Sequence, residues 1–379
     1  MDAVNVDNCS ILPHCCTDAD AKIIVFRPTL PRTERLVPYL REIDANRWYT
    51  NCGPLLSRFE CSLARHFKVE ANRVVAVANA TAGLSLCLLA GDGPPGGLCI
   101  LPSWTHEASA VAVARAGLTP WLHDVDEATW QLDPVRVAES IRSEPRVAAV
   151  LVTAPFGASV DPAPWAELAE RTGVTITIDA ASGFDSLLGG PVNAVVSLHA
   201  TKVFGIGEGG VVVARSAAQA NRVRDLAQLG LSSERVILQA GMNAKMSEYS
   251  AAVGLAALEE WPERRAVFRR VRNRYTARLN GQDRINAWLP DGVSSTLMVR
   301  LPGPSAVETA EALERRGIET RRWWQGGCHR QPAFAGLPRQ PLPVSDALAD
   351  SVLGLPFHTD LSGPDVDRVV DALFDLQTD

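Results

Sequence analysis

Apolar and polar positions along the chain change period several times, and each change marks an element. Leu36–Asn46 and Gly53–His66 place apolar residues at helical spacing, the second run entered through the Cys52-Gly53-Pro54 turn. From residue 70 onward, short continuous apolar runs alternate with longer helical patterns. Strands are expected at Val74–Val77, Leu98–Leu101, Trp121–Val125, Val147–Thr153, Thr175–Asp179, Val195–His199 and Gly210–Val213. Helices are expected between them at Ala82–Ala90, Ala108–Ala116, Pro134–Ser143 and Pro162–Thr172. Strands that read as unbroken apolar runs, without alternation, are covered on both faces. The pattern therefore predicts an α/β fold with a mixed, mainly parallel sheet between layers of helices. A long helical stretch from about Glu248 to Leu279 follows, then a short strand at Thr296–Arg300 and helices at Ala306–Arg316 and Pro364–Asp375. We expect a flexible tail over residues 1–20, a large domain over 21–255 and a smaller C-terminal α/β domain over 256–379.

Composition narrows the function classes. The chain has 379 residues and a formal charge of −6, a poor balance for wrapping nucleic acid. Its densest basic stretch, Glu263–Tyr275, has apolar residues at helical spacing and reads as a solvated helix face; the functional alternative is arginines contacting a phosphorylated substrate. Eight cysteines occur, at no spacing that suggests a zinc site or a disulfide framework. Cys9, His14, Cys15 and Cys16 cluster near the start and read as free thiols in a tail rather than a metal site. No secretory signal and no run of membrane-spanning length is evident, so a soluble cytoplasmic protein with reduced thiols is expected.

In a sheet of this kind ligands bind at the carboxyl ends of the strands, and four strand ends carry candidate chemistry. Asn79-Ala80-Thr81 precedes a helix, where free N–H groups and a hydroxyl can cradle a phosphate or simply cap the helix. Pro102-Ser103-Trp104-Thr105-His106 offers rings that could stack on a planar ligand. Asp179 closes an apolar strand, where a carboxylate is costly unless it is paired; a cationic pyridinium nitrogen would suit it, as would a helix end. Lys202 follows the strand that ends in Ser197-Leu198-His199, where a desolvated amine can form an imine with an aldehyde. Gly205, Gly207 and Gly210 match the dinucleotide fingerprint G-x-G-x-x-G, but they run into Val211-Val212-Val213, a strand, where that motif needs a helix. NAD binding is therefore not expected.

The ordered set Asn79-Ala80-Thr81, Pro102–His106, Asp179-Ala180-Ala181, Ser197–Lys202 with Gly207-Glu208-Gly209-Gly210, and Gly241-Met242-Asn243 resembles the DegT/DnrJ/EryC1/StrS sugar aminotransferases. The likeness runs from about residue 24 to the C-terminus and implies a fold-type I transferase that uses pyridoxal 5′-phosphate (PLP). It implies that Lys202 carries the cofactor as a Schiff base and that Asp179 pairs with the pyridine nitrogen. Thr81, Ser197 and the Ala80 backbone N–H would hold the phosphate. His106 and Ala181 would flank the two ring faces. Asn243 would reach the phosphate of a neighbouring subunit, which implies a homodimer with shared sites. Ser182 stands where relatives carry Gln or His beside the phenolic oxygen, Ala80 replaces a glycine, and His106 replaces Phe, Tyr or Trp.

Phe26-Arg27-Pro28, Trp48–Leu55 and Arg321–Arg330 are similar to the branch that aminates C-4 of nucleotide-linked 4-keto-6-deoxyhexoses. The resemblance implies a nucleotide-sugar acceptor, an L-glutamate donor, and a substrate pocket lined by His329 and Arg330. A structural aromatic turn is the competing reading of the last stretch. C-3 amination of a keto sugar and amination of a cyclitol ketone stay open, as does a non-enzymatic PLP-binding regulator. A related dehydratase branch carries histidine where this chain has Lys202, which argues against that reading.

Overall fold

A computed structural model describes residues 22–187, 189–232, 234–280, 285–290, 292–302, 305–324 and 326–376; the cluster at Cys9, His14, Cys15 and Cys16 and the expected tail lie outside them. Seven strands form the large sheet: β1 (Val74–Val77), β2 (Leu98–Pro102), β3 (Thr119–His123), β4 (Val147–Thr153), β5 (Thr175–Asp179), β6 (Asn193–Ser197) and β7 (Gly210–Val213). Their order is β1-β7-β6-β5-β4-β2-β3. Strands β2 to β6 pair in parallel, while β7 runs antiparallel to both β6 and β1. Every residue of β4, Val147 through Thr153, is buried, as its unbroken apolar run requires of a strand covered on both faces. The three glycines of the dinucleotide-like pattern lead into β7 and open no helix.

Eleven α-helices surround this frame among the described residues: α1 (Thr33–Asn46), α2 (Pro54–Phe67), α3 (Ala80–Leu89), α4 (Glu107–Arg115), α5 (Pro134–Ser143), α6 (Ala163–Thr172), α7 (Ala217–Ala227), α8 (Glu248–Leu279), α9 (Ala306–Arg315), α10 (Pro343–Ser351) and α11 (Gly363–Asp375). A second, three-stranded antiparallel sheet, β8 (Asn286–Trp288), β9 (Leu297–Arg300) and β10 (Val352–Leu355), is ordered β10-β9-β8. The expected domain division at 255/256 falls inside α8. Ile23 and Val25 are hydrogen-bonded to the C-terminal part, through Gly317, Glu319 and Phe357.

The 32-residue α8 ties the two sheets together. Its buried first residue, Glu248, accepts from the N–H groups of Leu55 and Leu56, both at 2.8 Å, so a carboxylate satisfies the otherwise orphaned donors at the start of α2. The basic stretch beyond it has the solvated face expected from its pattern, with Glu263, Arg269, Arg270 and Asn273 exposed, but several of its arginines are also paired. Arg264 is buried and paired with Glu260. Arg265 reaches buried Asp185 at 2.5 Å. Arg274 binds Asp367 on α11, and Arg278, three residues beyond the stretch, binds Asp367 and Asp371 there. These arginines pin α8 to its neighbours; the alternative of a phosphorylated ligand is not needed to account for them. No helix of the described residues is long and apolar enough to cross a membrane.

Candidate active site

The carboxyl ends of β2, β4, β5 and β6 converge, with the first turn of α3, on a cavity of about 710 Å³. Asn79, Ala80, Thr81, His106, Asp179, Ala181, Ser182, Ser197 and Lys202 all line it, so residues spread over more than 120 positions meet because parallel strands put their ends on one edge. Asn79 caps α3, its Oδ1 accepting from Ala82 N–H at 2.9 Å. The start of that helix opens on the cavity, where free N–H groups and the positive end of the dipole favour an anion.

Gly210, the first residue of β7, packs against the same turn. A Cβ there would lie 2.6 Å from the Ala80 nitrogen. Gly210→Ala therefore displaces the very N–H groups that face the cavity. We expect it to weaken PLP affinity by about tenfold or more, roughly 1.4 kcal/mol, with the fold retained; titration of the cofactor's absorbance against wild type checks this.

Asp179 ends β5 and is 5% exposed. Its Oδ2 accepts from Ser109 Oγ at 2.6 Å and its Oδ1 from Ala181 N–H at 3.1 Å. Behind it, Thr105 Oγ1 lies 3.0 Å from Ser109 Oγ and 2.9 Å from Thr153 Oγ1. This row of hydroxyls fixes the carboxylate without a cation touching it directly, so its charge is left to face the cavity. Lys202 sits in the turn after β6, where its N–H donates to His199 C=O at 2.8 Å and Ala200 N–H donates to Gly207 C=O at 2.7 Å. Its Nζ donates to Ser182 Oγ at 3.1 Å. Removal from water pushes the Lys202 amine below the ordinary lysine range, and the Asp179 carboxylate partly opposes that. A lysine whose neutral form is favoured is a ready nucleophile toward an aldehyde.

The donor set fits PLP at each of its ends: helix N–H groups and hydroxyls at Ala80, Thr81 and Ser197, an oriented buried carboxylate at Asp179, and a desolvated amine at Lys202. Among the described residues no group of three or more His, Cys, Asp or Glu side chains is placed to hold a metal ion. His106 both lines the cavity and caps α4, its Nδ1 accepting from Ala108 N–H at 3.1 Å.

Three expected residues lie elsewhere. His329 and Arg330 do not line the cavity, contrary to the expectation drawn for them. His329 is buried against Ser103 and Asp346, and Arg330 spends its guanidinium on Asp346 at 2.6 Å and Asp350 at 2.8 Å. Asn243 is exposed, does not line the cavity and accepts from Lys245 Nζ at 2.7 Å.

The cavity also gathers residues the sequence did not single out for it. Phe156, Trp323 and Trp324 form an aromatic wall, with Ser295 and Thr296 beside it. Trp324 stacks on Phe156 with ring centroids 4.0 Å apart. Ser109 had no sequence signal at all, since its bond to Asp179 spans 70 positions.

Comparison with known proteins agrees with this geometry. The family model of the DegT/DnrJ/EryC1/StrS aminotransferases matches residues 32–374. The dTDP-3-amino-3,4,6-trideoxy-alpha-D-glucose transaminase of Streptomyces venezuelae is 31% identical over 90% of this chain and 92% of its own length. The dTDP-4-amino-4,6-dideoxy-D-glucose transaminase of Shigella dysenteriae is 28% identical, covering 94% and 99%. The crystal structure of DesI in the presence of its TDP-sugar product superposes with a TM-score of 0.85 at 32% identity, covering 95% of this chain and 94% of that one. The chain belongs to the DegT/DnrJ/EryC1/StrS aminotransferase family and is a PLP-dependent aminotransferase of the fold-type I class.

Proposed function

We propose that the protein transfers the amino group of L-glutamate to the C-4 ketone of a nucleotide-linked 4-keto-6-deoxyhexose, with dTDP-4-keto-6-deoxyglucose as the first acceptor to test. The observation that carries amino transfer is Lys202 Nζ, desolvated in a cavity that also holds the buried Asp179 carboxylate. The aromatic wall of Phe156, Trp323 and Trp324 supports a sugar acceptor, because indole and phenyl faces receive the apolar C–H face of a hexose. The DesI likeness supports a TDP-linked acceptor, and the Shigella likeness supports a dTDP-linked acceptor and position C-4. The Streptomyces venezuelae relative supports a second reading, C-3.

When bound, PLP supplies an electron sink for the carbon next to the transferred nitrogen. The chain's residues do the rest. Ala80 N–H, Thr81 and Ser197 bind the phosphate. Asp179, oriented by Ser109, keeps the pyridine nitrogen protonated. His106 and Ala181 flank the ring. Ser182 holds Lys202 Nζ through its hydroxyl, and Lys202 Nζ takes the proton from Cα of glutamate as general base. Glutamate leaves as its keto acid before the ketone enters, which gives ping-pong kinetics.

We further propose a homodimer in which Asn243 completes the partner's phosphate site. Leu238 is 85% exposed, and Leu229, Val236, Ile237, Trp48, Tyr49 and Tyr249 are exposed with it, an apolar load that a monomer would leave in water. Cys52, Cys61, Cys87, Cys99 and Cys328 are free thiols, which suits the reducing cytoplasm.

The test is incubation with PLP, L-glutamate and dTDP-4-keto-6-deoxyglucose, followed by mass spectrometry and NMR of the product. An amino sugar with nitrogen on C-4 is expected. Nitrogen on C-3 of a 3-keto isomer alone would select the second reading, and no turnover with any keto sugar would overturn the proposal.

A further inference from the structure

Between the cavity and α10 lies a chain of three polar side chains that the chemistry above does not use. Ser103, just past β2, is fully buried, and its Oγ lies 2.5 Å from His329 Nδ1. The other ring nitrogen, His329 Nε2, lies 3.0 Å from Asp346 Oδ1 on α10. A carboxylate can only accept, so Nε2 carries the hydrogen; in the neutral ring Nδ1 is then the acceptor and Ser103 Oγ donates to it. Every group in the row is matched, and His329 is 8% exposed.

The backbone makes the same junction. Cys328 N–H donates to Ser103 C=O at 2.8 Å. Gly327 has φ +86°, and a Cβ on it would meet Ser103 O and His329 Nδ1 at 3.1 Å each. The segment joined in this way carries Trp323 and Trp324 into the cavity. Trp324 adopts φ +66°, a left-handed conformation that a bulky side chain takes only when its surroundings hold it there. What holds it is a hydrogen bond from Gly327 N–H to Trp324 C=O at 2.8 Å, the Phe156 stack, and an edge contact with Trp104, centroids 5.2 Å apart. Ser103 and Trp104 are adjacent in sequence, so one corner of the large sheet grips the loop twice.

We propose that Ser103, His329 and Asp346 form a positioning relay that fixes the Trp323–Trp324 wall, so that His329 governs binding of the keto-sugar ring without touching it. The part of this inference that concerns the acceptor rests on the proposed function; the part that concerns the loop does not. None of the three relay residues lines the cavity. Loosening the loop lets Trp324 relax out of its strained backbone, which removes the surface a hexose ring docks on and leaves Asp179, Lys202 and the phosphate end in place. Glutamate, which has no ring to stack, loses little.

The test compares Ser103→Ala, His329→Ala and Asp346→Ala, with Trp324→Phe identifying the Trp324 band in the near-UV circular dichroism of the holoenzyme. Each relay variant is expected to lose that band. Each should raise KM for the keto-sugar at least about tenfold, the scale of the one buried hydrogen bond that Ser103→Ala removes, with KM for glutamate and kcat within about twofold of wild type. Ser103→Ala/His329→Ala should be no worse than either single variant, as for residues acting as one unit. If only His329→Ala raises KM, His329 touches the substrate and the relay is wrong. An unchanged Trp324 band in all three variants also overturns it, whatever the activity. If no keto sugar turns over, the band still decides: its loss in all three variants upholds the relay while the proposed acceptor falls. Should the two buried substitutions fail to fold, Asp346→Ala decides alone, because its side chain is half exposed and its loss leaves no cavity.

Discussion

Replacing Lys202 with alanine is expected to lower transamination by at least about 10³–10⁴-fold, the size of effect that follows when a covalent and general-base group is removed. Among the described residues that line the cavity, Lys202 is the only lysine or arginine, so none of them offers a second amine to take over the proton. Its Nζ is held by the Ser182 hydroxyl at 3.1 Å, and burial favours its neutral form. Borohydride reduction followed by peptide mapping gives the second readout. The wild-type chain should retain the cofactor on the peptide that contains Lys202, and the alanine variant should retain it on none, while the Ala80–Thr81 end still binds it noncovalently. Wild-type turnover by Lys202→Ala, or a label on another lysine, would remove the basis for placing the chemistry at this strand end.

How much of this was readable beforehand follows from the range of the interactions involved. Strand β4 shows itself because burial on both faces leaves seven consecutive residues without a polar alternation. Asp179 was readable because it breaks an apolar run at the last residue of β5, and Lys202 because it stands in the polar, glycine-bounded turn that follows the apolar strand β6. The strand β8 has only three residues and β10 is interrupted by Gly354, so neither shows the unbroken apolar run that marks the others. Helix α7 was passed over because its buried positions include a polar one, Gln219. In the basic stretch of α8 the solvated face was readable and the ion pairs were not, because helical spacing says which residues share a face, not what packs beside it; Asp185 and Asp367 lie about 80 and 93 positions away from their arginines. His329 misled for the same reason. Its partners, Ser103 and Asp346, stand 226 positions before it and 17 after it, and no local signal announces either. The likeness to sugar aminotransferases named Asp179, Ser197 and Lys202, which line one cavity because they stand at the ends of neighbouring strands or in the turn just beyond. The two residues it implied for the substrate, His329 and Arg330, lie outside that cavity, while Trp323 and Trp324 line it.

The second large effect is expected at Asp179. Asp179→Asn is nearly isosteric, and Ser109 Oγ and Ala181 N–H can still donate to the amide oxygen in place of the carboxylate oxygens they now reach at 2.6 and 3.1 Å. What it removes is charge. A neutral amide cannot hold a proton on a pyridine nitrogen, so the electron demand of the ring falls in the step where Lys202 takes the Cα proton. Loss of one oriented electrostatic group at such a step costs about 10²–10³-fold in kcat, roughly 3–4 kcal/mol. KM for glutamate should change little, because the role proposed for Asp179 is at the ring nitrogen and not at the donor. The signature that separates this from simple misfolding is isotopic: with Cα-deuterated glutamate the kinetic isotope effect on kcat should rise in the variant, since proton removal becomes more fully rate-limiting. Serine 109 offers the graded control. Ser109→Ala keeps the charge and loses only its orienting hydroxyl, so it should fall between wild type and Asp179→Asn. If Asp179→Asn retains wild-type kcat with an unchanged isotope effect, the carboxylate is a structural cap of the Ala181 turn and not the partner of a ring nitrogen.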